Sequence, residues 1–101
     1  MDLGLKGKVA VVTGGTAGIG LATAQAFIDE GAYVAVCGRH LDLLKTALKQ
    51  LGNNAFGCQT DMTNENEVYG FARQVNDHFG HIDIWVNNVG ASFARKDTWY
   101  T

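Results

Sequence analysis

The chain has no proline among its 101 residues, only two cysteines and a single serine, Ser92. Without proline, every special backbone turn falls to the thirteen glycines, which supply left-handed conformations at no steric cost. Two cysteines, Cys37 and Cys58, are too few for the disulfide framework of a small secreted domain, and each lies in an apolar stretch; both are expected to be buried free thiols. Cationic character is lacking as well. Eight Lys and Arg against ten Asp and Glu give a formal charge of −2, which argues against a basic nucleic-acid face. No apolar run approaches the roughly 20 residues of a membrane span. The start, Met1 to Lys8, has no apolar core of a secretion signal, so a cytoplasmic location is expected.

What is present is an alternation. Short apolar runs lie at Lys8–Val12, Tyr33–Cys37, Asn54–Cys58 and Ile82–Val86, and near-continuous runs of this length suggest parallel strands covered on both faces. Between them the spacing is helical. Ile19, Ala22, Ala26 and Phe27 share one side of a helix stopped by Gly31. Leu41, Leu44, Leu48 and Leu51 mark a second, stopped by Gly52. Val68, Phe71, Ala72, Val75 and Phe79 mark a third, ended by Gly80 and opened by Asn64 and Glu67 in a capping-box arrangement. The order β-α-β-α-β-α-β with right-handed crossovers gives an α/β fold, a doubly wound open parallel sheet of Rossmann type. Residues 1–101 read as one unit. With strand order 3-2-1-4 the fourth strand is a bare edge, so the chain is expected to be the first half of a larger domain and to self-associate through that edge.

The segment joining the first strand to the first helix, Thr13-Gly14-Gly15-Thr16-Ala17-Gly18-Ile19-Gly20, has the composition of a phosphate-binding loop. A phosphate needs close backbone approach, N–H groups turned toward it and the positive end of a helix. Gly14, Gly18 and Gly20 suit the turn, the close approach and tight helix-to-strand packing. Leu21 and Ala22 follow Gly20, so the lysine of a Walker-type loop is missing. Thr23 breaks G-x-G-x-x-G. The glycines fit T-G-x-x-x-G-x-G instead.

With Lys6 to Gly15 leading into that motif, Asp61-Met62 after the third strand and Asn87-Asn88-Val89-Gly90 after the fourth, the chain resembles the N-terminal part of a short-chain dehydrogenase/reductase over Leu5 to Gly90. Val89 departs from the family's alanine. The resemblance implies a nicotinamide dinucleotide cofactor. The backbone of Gly14, Gly15, Thr16, Ala17, Gly18 and Ile19 would cradle its pyrophosphate and adenosine ribose, with Gly20 completing the site. Asp61 would accept from the adenine amino group and the Met62 N–H would meet the ring. Asn88 and Gly90 would line the ribose side of the channel, while Asn87 braces the sheet. From the residues alone, Asp61 borders the crevice at the C-terminal end of a parallel strand, with a helix cap or a solvated turn residue as the other reading.

Position 38 bears on the choice of cofactor. An NAD enzyme places a carboxylate at the end of the second strand to hold the ribose hydroxyls; here Gly38 is followed by Arg39 and His40. Glycine leaves room for a 2′-phosphate and Arg39 offers it charge-assisted hydrogen bonds, so NADP(H) is favoured over NAD(H). A solvated surface arginine is the alternative, and Asp42, early in the second helix, should point away.

The resemblance implies a proton relay through a Tyr and a Lys four residues apart, Tyr-x-x-x-Lys, with a Ser that positions the carbonyl, and these find no counterpart here. Tyr33 is followed four residues on by Cys37 and Tyr69 by Arg73, Tyr100 has only Thr101 after it, and Ser92 follows the Asn-Asn motif too closely. No catalytic residue is assigned, and no metal. His78 and His81 flank Gly80 and read as cations at a helix end, and Trp85 reads as core. The resemblance implies an intact parent that moves hydride between nicotinamide and a carbonyl or secondary alcohol. The competing reading is a non-catalytic dinucleotide-binding or regulatory module. A methyltransferase-type nucleoside site is disfavoured, because Arg39 replaces its ribose-binding acid.

Overall fold

β-Branched residues and alanine fill the two middle strands, β1 (Val9–Thr13) and β2 (Tyr33–Gly38), which are buried throughout except for Tyr33 at the start of β2. The computed structural model describes residues 4–88. Around the central pair lie α1 (Gly18–Asp29), α2 (Leu41–Leu51), β3 (Ala55–Gln59), α3 (Glu65–Phe79) and β4 (Ile84–Asn87). All pairings are parallel, in the order β3-β2-β1-β4. The Rossmann-type alternation and strand order expected from the sequence are therefore present.

Alternation along each strand divides the core in two. Val9, Val11, Ala35 and Cys37 face α3 and meet Phe71 and Val75, with Trp85 packed beside them, its ring edge-on to Phe71 at 6.3 Å. Val12, Val34 and Val36 face the other way, toward Ala24 of α1 and Leu44 and Leu51 of α2. Helices on both faces explain why the middle strands carry no polar alternation. Cys37 is buried and Cys58 half-buried, both as free thiols, so the expectation of burial holds fully only for Cys37. They are register partners on β2 and β3, and burial pushes the Cys37 thiol up to about 11.

The helices depart from the expected faces at identifiable places. In α1 the buried residues are Gly20 and Ala24, with Leu21, Phe27 and Ile28 packed at their side. Ile19 is 77% exposed, and Ala22 and Ala26 also face outward. Only Phe27 of the expected stripe points inward. Small and apolar residues spread around the helix, with Thr23, Gln25 and Asp29 between them, so periodicity does not fix its rotation; the approach of Gly20 to the β1–α1 loop does. In α2, Leu44 and Leu51 are buried and Leu48 partly so, whereas Leu41 at the helix start is exposed.

Half of the expected capping box forms on α3. Asn64 Oδ1 accepts from the N–H groups of Asn66 and Glu67 at 3.0 and 3.2 Å. The Glu67 carboxylate does not return to the Asn64 N–H; it accepts from the Asp61 N–H at 2.9 Å, while the Asn64 N–H donates to the Asp61 carbonyl at 3.0 Å.

At the opposite end of the sheet, Asp83 joins the start of β1 to the segment before β4. Its Oδ2 accepts from the Val9 N–H at 2.9 Å, and its own N–H donates to the Val9 carbonyl at 2.9 Å. His81 Nε2 lies 2.8 Å from the same carboxylate oxygen, so His81 serves Asp83 rather than a helix end. His78, in the last turn of α3, stacks on Phe56 with centroids 4.3 Å apart. Among the described residues no helix is long and apolar enough to cross a membrane, and no three His, Cys, Asp or Glu side chains converge as a metal site would need.

Candidate functional site

Parallel strands release their connections at one edge of the sheet, and the sequence motifs collect there. The chain leaves β1 through Gly14, whose φ of 67° lies in the left-handed region that glycine enters freely. The Gly14 N–H donates to the Cys37 carbonyl at 2.9 Å, tying the turn to the end of β2. Gly15 is buried, and a Cβ there would stand 2.6 Å from Val36 Cγ1 and 2.9 Å from the Val12 carbonyl oxygen; packing on the sheet demands glycine. Gly18 differs. Its φ is 57°, and among the described residues no atom lies within 4 Å of where its Cβ would be, so its outer side is open for close approach. A Cβ on Gly20 would run into the Gly14 carbonyl and come within 2.7 Å of Asn88 Nδ2, which is the tight helix-to-strand packing expected of the third motif glycine.

The start of α1 is arranged for an anion. Ala17 occupies the N-cap with extended backbone and supplies no side-chain cap, and the first turn holds no acidic residue. The first N–H groups of the helix therefore keep their partial positive charge beside the open face of Gly18, which suits a phosphate or diphosphate.

Asn88 joins the loop from the other side. Its N–H donates to Thr13 Oγ1 at 3.0 Å and its Nδ2 to the Gly14 carbonyl at 3.4 Å. The Thr13 hydroxyl lies 3.0 Å from Asn87 Oδ1, to which it donates, and Thr13 is buried. Asn87 thus braces the sheet, as expected, and Thr13 is the hub that sequence reasoning passed over. Its place as the first letter of T-G-x-x-x-G-x-G was the available signal. Gly90 lies outside the described residues, as do Ser92, Trp99 and Tyr100.

Arg39 and Asp61 flank the other end of the crevice. Arg39 Nη2 stands 3.5 Å from Asp61 Oδ1, with the two side chains 61% and 41% exposed, a long contact of small energy in water. Gln59 Nε2 donates to the Arg39 carbonyl at 3.1 Å and fixes its backbone. Asp61 Oδ1 also accepts from the Thr63 N–H at 2.9 Å and the Thr63 hydroxyl at 2.6 Å. Those Thr63 bonds, with Arg39 adding to them, hold the Asp61 carboxyl below its ordinary range. Every hydrogen bond to the carboxylate falls on Oδ1, and none among the described residues falls on Oδ2. Met62 is half-buried, its Sδ 3.5 Å from the Cys37 thiol. The supporting roles of Gln59, Thr63 and Glu67 had no motif to announce them.

Comparison with known proteins gives this arrangement a family. Residues 8–100 match the short chain dehydrogenase family, and the chain belongs to it. It is 42% identical over 97 residues to an uncharacterized oxidoreductase of Staphylococcus haemolyticus, covering 95% of this chain and 42% of the relative. An NADP-dependent (R)-specific alcohol dehydrogenase of Lentilactobacillus kefiri is 41% identical over 94 residues, 91% of this chain and 37% of that protein. Among solved structures, L-sorbose reductase from Gluconobacter frateurii, complexed with NADPH and L-sorbose, superposes with a TM-score of 0.84 at 39% identity, covering 89% of this chain and 36% of that one. The chain spans about two-fifths of the length of these relatives.

Proposed function

We propose that this chain is the NADP(H)-binding part of an oxidoreductase that moves hydride between nicotinamide and a carbonyl or secondary alcohol. The observation that carries the cofactor choice is the end of β2. A glycine, Gly38, stands where a ribose-binding carboxylate would be, against Thr16 of the β1–α1 loop, and Arg39 follows it. In this reading the N–H groups of the loop and first helical turn hold the diphosphate. Arg39 turns from Asp61 to the 2′-phosphate, and Asp61 keeps Oδ2 for the adenine amino group. The Met62 N–H meets the ring, and Asn88, with Gly90, lines the ribose side. Bound there, the dinucleotide supplies or accepts the hydride. The NADPH in the sorbose reductase and the NADP dependence of the Lentilactobacillus enzyme support the same choice. The alternative of a non-catalytic module has no observation in its favour.

Calorimetric titration of the chain with NADPH and NADH at fixed salt tests the proposal. Tighter binding of NADPH, by about ten- to a hundredfold for one charge-assisted pair, is expected. Equal affinities overturn the choice of NADP(H), and binding of neither overturns the dinucleotide reading.

A further inference from the structure

Gly38 is buried at the end of β2 with the side chain of Thr16 lying against it. A Cβ at position 38 would stand 2.7 Å from Thr16 Oγ1, 2.9 Å from Thr16 Cγ2 and 3.4 Å from Thr16 Cβ. The atoms in the way belong to a side chain, so rotation about χ1 is the obvious escape, and the branching of threonine closes it. Two of the three staggered positions on Thr16 Cβ face position 38. Threonine fills two of the three in every rotamer. Whichever way it turns, at least one heavy atom remains in a facing position. Serine, with one heavy substituent, could turn away completely; valine, like threonine, could not.

We infer that Thr16 is a second specificity-determining residue, acting by shape: its branched side chain keeps position 38 free of any side chain. This inference rests on the NADP(H) reading above. An acidic side chain at position 38 is what would hold the ribose hydroxyls of NAD(H) and repel a 2′-phosphate. Thr16 denies it space, and the room beside Arg39 stays open to an anion. Choice of cofactor is therefore written jointly in Thr16, Gly38 and Arg39, from two segments that the Gly14–Cys37 hydrogen bond holds together.

The test pairs substitutions at both positions in the 101-residue chain and reads thermal stability without cofactor as well as NADPH and NADH affinity. Gly38→Asp and the smaller Gly38→Ala should each lower the melting temperature. Adding Thr16→Ser should restore most of the loss in both cases, and adding Thr16→Val should restore none. With Gly38→Asp, the Thr16→Ser partner should also raise NADH affinity by about tenfold over the Thr16→Val partner, the size of a coupling between touching side chains. Serine keeps the hydroxyl and valine keeps the branching, so the contrast separates shape from hydrogen bonding. If the serine and valine partners melt alike, or if both leave NADH affinity unchanged, the inference falls while a wild-type preference for NADPH stands. A wild-type chain without that preference overturns the NADP(H) reading and the cofactor role of Thr16 with it, whereas the melts still report the crowding on its own.

Discussion

Arg39 and Asp61, the two charged residues assigned to opposite ends of the adenosine, touch each other across the crevice, Nη2 to Oδ1 at 3.5 Å. Both side chains are partly in water, where such a pair contributes little. A 2′-phosphate dianion offers Arg39 a stronger and more directional partner at small cost.

Arg39→Ala should therefore weaken NADPH binding by about ten- to a hundredfold and leave NADH binding nearly unchanged. A surface arginine without a ligand would change both equally and slightly. Titration of wild type and variant with each cofactor at one salt concentration decides between them, and a variant that keeps its NADP preference removes the assignment.

The Thr13 hydroxyl is buried between the Asn87 side chain and the Asn88 N–H. Thr13→Val keeps the shape and deletes both bonds, leaving the Asn88 N–H unmet, at a cost of about 1–3 kcal/mol. Urea unfolding of the chain should show the loss as a lower midpoint with unchanged slope. A variant as stable as wild type would mean that Thr13 is not the hub its geometry describes.

Acid should loosen the far end of the sheet. The Val9 N–H, with His81 and Lys8 adding to it, holds the Asp83 carboxyl below its ordinary range. A lowered folded-state value means that the carboxylate's contribution is fully present above the unfolded value, about 3.9, and is lost as pH falls through the folded one. Asp83→Asn keeps an acceptor for Val9 but does not titrate. Stability measured from pH 6 to pH 2 should fall less steeply for this variant than for wild type; parallel curves would exclude Asp83 as a source of the acid sensitivity.

The outer strands suggest self-association. Among the described residues β4 pairs with β1 alone, and Ile84, Trp85 and Val86 are only half-buried. An apolar, unpaired parallel edge is a template for another chain. Sedimentation should find oligomers of the 101-residue chain, with apolar dye bound. A monomer with one sharp melt and no dye binding would contradict this.

Much of the layout was legible because strand and helix alternate with clean glycine stops, and because the loop, Asp61-Met62 and Asn87-Asn88 keep recognisable spacing. The rotation of α1 was not. Ile19, Ala22 and Ala26 look as suitable for burial as Gly20, Leu21 and Ala24, and only the contact of Gly20 with the Gly14 carbonyl sets the phase. Glu67 was likewise a capping residue by spacing, yet its carboxylate goes to the Asp61 N–H. The contacts of Thr16 with Gly38 and of Arg39 with Asp61 join separate strand ends, and no local pattern encodes them.

The bond from the Asn88 N–H to the Thr13 hydroxyl spans 75 residues, and this has a consequence for the order of assembly during synthesis. β1, α1 and β2 can associate as soon as β2 emerges, but the end of β1 then has an open side and Thr13 has no partner. At about 5–20 residues per second, bringing out the 75 residues from Thr13 to Asn88 occupies the ribosome for about 4–15 s. For most of that interval the glycine loop is present but unbraced. Among the described strands it is β4, the last of the four to be made, that braces this end of the sheet, and a nascent chain stopped short of Asn88 would carry every glycine of the loop without the scaffold that holds them in place.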